Sequence, residues 1–83
     1  MPDFEKLIKK ARNSPNNLDF DDACALAESA GFVERKRTSG SSHRIYKHPE
    51  VRELLNLQEY NGKAKPYQVR QLLSLIEDLG MEE

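Results

Sequence analysis

The residues with the clearest capacity for chemistry lie in one short stretch near the middle of the chain. His43 follows the turn-forming run Ser39–Ser42 and opens a segment in which polar and apolar residues alternate. This pattern predicts a turn that leads into a β-strand, which would place the imidazole at the exposed end of a rigid element. Because histidine titrates near neutral pH, His43 could transfer a proton there, although a solvated surface histidine fits the same pattern.

Cationic side chains accompany this histidine in the sequence. Residues 35–70 carry nine basic and three acidic side chains, whereas the segments on either side are acidic and the net charge is −1. A basic centre of this kind can bind a polyanion such as RNA, and it can equally be an ordinary solvated surface. The candidate RNA-binding residues are all cationic: Arg44, Lys47, Lys63, Lys65 and Arg70.

The second histidine and the cysteine are weaker candidates for catalysis. His48 lies five positions after His43, so the two rings should point to opposite faces of one strand, and we expect His48 to be structural. The one cysteine, Cys24, falls in a helical pattern, which favours a core residue over a nucleophile and indicates a reducing, cytoplasmic compartment. One cysteine and two histidines make no metal-binding pattern, so we expect neither a metal nor another cofactor.

Hydrophobic spacing predicts the helices that would position these residues. Apolar residues recur with helical period over Phe4–Ala11, Ala23–Ala30 and Val69–Leu79. Gly31 supplies a stop after the second helix, and Pro66 suits the first position of the third. The chain of 83 residues is long enough for one small domain, and no run approaches the roughly 20 apolar residues of a membrane span.

Three strands are predicted between the second and third helices, at residues 32–38, 42–48 and 54–58, with a turn at Asn61-Gly62. The element order gives an α+β fold. Without the first helix it is the α-β-β-β-α arrangement of a double-stranded-RNA-binding domain (dsRBD), with a three-stranded antiparallel sheet. Lys63 and Lys65 would then precede the N-terminus of the last helix, where unpaired N–H groups can bind phosphate.

Two motifs carry a closer resemblance. The turn Gly40-Ser41-Ser42-His43 and the later run Gly62–Gln71 resemble the HicA-type toxins of bacterial type II toxin–antitoxin systems. The resemblance covers residues 18–79 and implies an mRNA interferase with a dsRBD-like fold and a HicB-type antitoxin partner. It also implies that His43 is the catalytic residue. On this basis we expect residues 18–83 to be the HicA-like domain and residues 1–17 to be an added helix and linker.

The sequence leaves three hypotheses for function. The first is a metal-independent RNA endonuclease that blocks translation, with His43 as the proton-transfer residue. The second is a non-catalytic RNA-binding module, for which the basic centre and the fold suffice. The third is a protein-interaction domain that uses the apolar stripe of the N-terminal helix as its surface.

Overall fold

The computed structural model describes residues 4–35 and 43–80, and these ranges contain the helices and strands that position the candidate site. A single turn of 3-10 helix at Pro15–Asn17 joins the first helix to the second. The described elements are α1 (Phe4–Asn13), α2 (Phe20–Ser29), β1 (Val33–Glu34), β2 (His43–Lys47), β3 (Leu55–Tyr60), β4 (Lys63–Ala64) and α3 (Pro66–Asp78). The predicted α+β class is confirmed, as is the α-β-β-β-α order preceded by one extra helix.

The strands of the described residues form one antiparallel sheet in the order β1-β2-β3-β4, which has one strand more than predicted. The extra strand, β4, is two residues long and follows a tight turn in which both Asn61 and Gly62 have positive φ, 53° and 80°. Two successive positive φ values are typical of the two-residue hairpin turn that returns the chain along its partner strand. The predicted Asn-Gly turn therefore exists, and it adds a short strand.

The other strand limits differ modestly from those predicted. β1 is described only at Val33–Glu34, and the predicted turn at residues 39–42 lies outside the described residues. β3 runs to Tyr60, two residues beyond the predicted end, because the hairpin with β4 continues its ladder. α3 begins at Pro66, as predicted from the fixed φ of proline.

The helices cover one side of the sheet. α2 and α3 pack against β3, and α1 packs on α2 and α3. Tyr46, Leu55 and Leu57 supply the buried residues of the two central strands. The helices contribute most of the remaining core, which includes Leu7, Ile8, Ala11, Leu26, Ala27, Val69, Leu72 and Ile76.

The N-terminal helix is part of this core. Its apolar residues Leu7, Ile8 and Ala11 are buried, so its stripe faces α2 and α3. An ion pair of 2.6 Å between Lys10 Nζ and Asp22 Oδ2 further joins α1 to α2. The apolar stripe that the third hypothesis would use as an interaction surface is therefore occupied by the fold. The division between residues 1–17 and 18–83 stays a prediction.

We predict that Ile8→Ala lowers the free energy of unfolding by about 2–5 kcal/mol, because Ile8 is 4% exposed and its loss leaves a cavity. Urea denaturation followed by circular dichroism measures the change. Lys9→Ala, on the exposed side of the same helix, is the matched control and should change stability by no more than about 0.5 kcal/mol. An Ile8→Ala protein as stable as the Lys9→Ala control would show that α1 is not part of the cooperative core.

Candidate active site

The direction of each β2 side chain follows from the burial of Tyr46. Successive side chains of a strand point to opposite faces, and Tyr46 is fully buried beneath the helices. Arg44 therefore faces the helices, whereas His43, Ile45 and Lys47 lie on the other face of the sheet. We call this second face, made by His43, Ile45 and Lys47 with Asn56 and Gln58 of β3, the open face.

Strand pairing sets the neighbours of His43 on the open face. His43 is opposite Gln58, and Ile45 is opposite Asn56. Residues directly opposite each other in an antiparallel pair share a face, so the Gln58 side chain lies next to the imidazole. Tyr60 lies two residues further along β3, which makes it a diagonal neighbour of His43 at about 7–8 Å between Cα atoms. The candidate catalytic residue thus lies beside one amide and near one aromatic ring.

A buried glutamine connects this part of the sheet to α3. The Gln58 backbone N–H donates to Oε1 of Gln68 at 2.7 Å, and Gln68 is only 2% exposed. Gln68 Nε2 in turn donates to the Tyr67 hydroxyl oxygen at 3.2 Å. Because the Gln58 N–H points toward α3, His43 and Gln58 form the non-hydrogen-bonded kind of pair, in which side chains approach more closely. The first turn of α3 is thereby fixed relative to His43.

Arg44 is next to His43 in sequence but lies on the opposite face of the sheet. Its Cζ lies 5.9 Å from the centre of the Phe20 ring, and its Nε lies 3.7 Å from Oε2 of Glu34. A hydrogen bond with Tyr46 is the main cause that raises the pKa of Arg44. The structure therefore does not bring Arg44 together with His43. Its predicted contact with RNA stays a prediction, and that contact would require the guanidinium group to leave these partners.

Lys47 shares the open face with His43. It is exposed and lies four residues along β2, about 13 Å away at the usual rise per residue. A cation at that backbone distance is better placed to meet a neighbouring phosphate of a bound strand than the phosphate at His43.

Lys63 is held by an ion pair with α2. Its Nζ lies 2.6 Å from Oδ1 of Asp19, and this hydrogen bond lowers the pKa of the Asp19 carboxyl group. Asp19 holds the position just before α2, but its side chain makes no hydrogen bond to the helix end. Aspartate is a common capping residue at such a position, and here its carboxylate pairs with Lys63 instead.

The other two predicted cations lie near α3. Lys65 occupies the position before the first residue of the helix and forms no ion pair within residues 4–35 and 43–80. Arg70 donates a hydrogen bond to Oδ1 of Asn16 at 2.9 Å, which ties it to the 3-10 turn. Of the five predicted cations, Lys63 and Lys65 line the same groove.

A groove of ≈ 450 Å³ lies around these two lysines. Its walls include Tyr60 and Tyr67, which are 66% and 61% exposed. Its lining residues are Asn16, Tyr60, Asn61, Lys63, Ala64, Lys65, Pro66 and Tyr67. The two tyrosines were not among the predicted site residues, although their positions on either side of Lys63 and Lys65 are the kind of signal that could have identified them.

His48 and Cys24 are both buried away from the open face. Nδ1 of His48 accepts a hydrogen bond from the Glu50 N–H at 3.0 Å, and its ring packs edge-on against Phe32 at 5.1 Å between centroids. This placement agrees with the structural role predicted for His48. Burial raises the pKa of the Cys24 thiol, which disfavours the thiolate form that a nucleophile needs. Within the described ranges, no group of three or more potential metal-ligating side chains is placed to hold a metal ion.

Comparison with known families identifies a bacterial toxin family. The family model for the HicA toxin of bacterial toxin–antitoxin systems matches residues 20–81. The matched segment contains α2, all four described strands and α3, and it leaves out α1. Comparison with curated proteins and with solved structures gives no match. No helix in the described part of the chain is long and apolar enough to cross a membrane.

We predict that Gln68→Met lowers the free energy of unfolding by about 1–3 kcal/mol, because the Gln58 N–H then loses its acceptor. Hydrogen exchange measured by NMR should show faster exchange of the Gln58 amide. Gln71→Met, at a half-buried position of the same helix, is the matched control and should leave that amide unchanged. Equal Gln58 exchange rates in the two variants would contradict the connection between α3 and β3.

Proposed function

The chain belongs to the HicA toxin family of bacterial toxin–antitoxin systems, and on that premise we propose that it is an RNA endonuclease that cuts messenger RNA. His43 acts as the proton-transfer residue, and cleavage of messages blocks translation. The observation that carries the proposal is the position of His43 on the open face of the sheet, away from the helices. A long RNA strand can lie across such a face without entering an enclosed pocket.

The reaction requires movement of two protons. The ribose 2′-oxygen attacks the adjacent phosphorus, its proton goes to a base, and the bond from phosphorus to the 5′-oxygen breaks. The departing 5′-oxygen then takes a proton from an acid. An imidazole ring can accept or donate a proton near neutral pH and so suits either transfer, and such a group is worth about 10²–10⁴ in rate. Neither transfer needs a metal ion.

Cations near the scissile phosphate would stabilise the negative charge that develops on its oxygens. Lys65 supports this role because it lies beside α3, whose first turn is fixed to the strand opposite His43. Lys47 supports contact with a more distant phosphate on the open face. Lys63 contributes less while its ion pair with Asp19 persists, because the carboxylate then neutralises part of its charge.

The family also implies an inhibitor. We propose a HicB-type antitoxin as the protein partner and the cytoplasm, where messenger RNA is translated, as the compartment. Binding of RNA without cleavage is the second candidate function, favoured by the lysine-lined groove, and the experiments below separate it from catalysis.

We predict that His43→Ala loses about 10²-fold or more of the cleavage rate on a long mRNA in the presence of EDTA, because the proton-transfer group is gone. Free imidazole added to the variant should restore part of the rate. Expression of the parent should arrest growth, and expression of the variant should not.

Lys9→Ala, an exposed substitution on α1 away from the open face, is the control and should cut at nearly the parental rate. Circular dichroism should show that both variants are folded. If folded His43→Ala protein cuts as fast as the parent, the proposed role of His43 is wrong. If the parent binds RNA and does not cut it, the binding module is the correct function.

We predict that Lys65→Ala weakens RNA binding and reduces the slope of log affinity against log salt by about one unit, as expected for loss of one phosphate contact. Fluorescence anisotropy with a labelled RNA, measured in cleavage-inactive His43→Ala protein over a range of salt concentrations, gives the slope. Lys9→Ala, on the exposed side of α1, is the control for a change in overall charge. Equal slopes for the two variants would remove Lys65 from the RNA interface.

A further inference from the structure

Two of the three tyrosines of the chain are exposed, and both lie in the groove around Lys63 and Lys65. Tyr60 ends β3 just before the tight turn, and Tyr67 is the second residue of α3. The third tyrosine, Tyr46, is fully buried in the core. Exposure of two large rings at one place costs hydrophobic stabilisation that burial would have given, which suggests a role in binding.

The backbone beside Tyr60 and a hydrogen bond to Tyr67 limit the movement of the two tyrosines. The turn after Tyr60 has fixed positive φ values at Asn61 and Gly62, so the end of β3 and the start of β4 form a rigid hairpin. The Tyr67 hydroxyl accepts a hydrogen bond from buried Gln68. The groove between the rings is therefore preformed, and little ordering of side chains is needed when a ligand enters.

The charge of the groove favours an anionic ligand. Its lining includes two lysines and no carboxylate. Lys63 is paired with Asp19, which lies outside the lining, and Lys65 forms no ion pair with any described residue. An apolar groove with aromatic walls and a cation at its rim matches a nucleotide, whose base is flat and whose phosphate is charged.

We infer that this groove binds unpaired nucleobases of single-stranded RNA, which stack on Tyr60 and Tyr67 while Lys65 binds an adjoining phosphate. The inference rests on the proposed RNA endonuclease function and specifies its substrate as single-stranded. Bases within an RNA duplex are covered by their neighbours and cannot stack on protein rings, whereas unpaired bases can. The groove therefore selects unpaired segments of a message.

Tyr60 places one wall of the groove near the candidate catalytic residue. Tyr60 is the diagonal cross-strand neighbour of His43, because His43 is opposite Gln58. Gln68 joins the Tyr67 hydroxyl to the Gln58 backbone on the same strand. A base held by Tyr60 would place a phosphate of the same or the next nucleotide within reach of the imidazole. The two tyrosines thus position RNA for cleavage without transferring a proton themselves.

Intrinsic fluorescence tests stacking directly, because the chain has three tyrosines and no tryptophan. The probe is a short single-stranded RNA added to His43→Ala protein, which should bind without cutting. Stacking predicts that this RNA quenches tyrosine emission. A duplex of the same sequence and an abasic strand with the same number of phosphates should quench little. Equal quenching and affinity for the intact and abasic strands would overturn the inference.

Substitutions identify the rings involved. In the same His43→Ala protein, Tyr60→Ala and Tyr67→Ala should each weaken binding of the single-stranded RNA by roughly 5- to 150-fold, the usual loss for one stacked base. Tyr60→Phe and Tyr67→Phe keep the rings and should retain most of the affinity. Leu54→Ala removes an exposed apolar side chain outside the groove and is the control.

The outcomes separate this inference from the proposed function. If both Tyr→Ala variants cleave RNA at the parental rate and keep the parental RNA affinity, the stacking site is overturned and the endonuclease proposal stands. Loss of affinity in those variants, with no cleavage by the parent, would support the stacking site and overturn the endonuclease proposal. If the Tyr→Ala variants lose binding to an antitoxin and keep their RNA affinity, the groove is a protein interface and the inference is wrong.

Discussion

Burial of Tyr46 is the constraint on which the arrangement of the candidate site depends. Its side chain is fully buried, and its hydroxyl donates to Oε2 of Glu28 at 3.0 Å, which fixes the central strand against α2. Side chains of a strand alternate between faces, so a shift of one residue would turn every side chain over. Such a shift would place Tyr46 in solvent and His43 under the helices. The core thus holds His43 on the open face.

The same alternation explains why the arginine next to His43 in the sequence does not lie beside it on the open face. Arg44 follows His43 directly, so it must point toward the helices, where Phe20 and Glu34 hold it. The cations proposed to meet RNA therefore come from Lys47 on the open face and from the β4–α3 corner, and the Gln58–Gln68 hydrogen bond fixes α3 against β3. The candidate site therefore combines the β2–β3 strand pair with the β4–α3 corner, and the buried side-chain amide of Gln68 joins the two.

Local patterns predicted much of this architecture. The helical period located all three helices, and Gly31 and Gly80 have the positive φ expected of residues that follow helix ends, 97° and 72°. Strand alternation also predicted that His43 and His48 face opposite ways. These features were predictable because neighbouring residues determine them.

Features that depend on distant residues were not predicted. Lys63 pairs with Asp19 and Arg70 with Asn16, and no local pattern indicates either contact. The strand β4 exists because residues 62–64 also bond to residues 18–20, through the pairs Phe20 N–H to Gly62 oxygen and Ala64 N–H to Leu18 oxygen. The tyrosine-walled groove likewise forms only when this hairpin meets α3. All of these contacts depend on tertiary packing, which a short segment of sequence does not reveal.

The chemical identity of the RNA ends left by cleavage is the most direct test of the proposed attack by the 2′-hydroxyl. Attack by the 2′-oxygen leaves a 2′,3′-cyclic phosphate on one fragment and a free 5′-hydroxyl on the other. Mass spectrometry of a short RNA cut by the purified protein in EDTA identifies both ends. Attack by the 2′-hydroxyl predicts these two ends, and it predicts that an RNA with a single 2′-deoxyribose at the cleavage site stays intact. Fragments that carry a 5′-phosphate, or cleavage of the deoxy-substituted RNA, would contradict histidine-assisted attack by the 2′-hydroxyl.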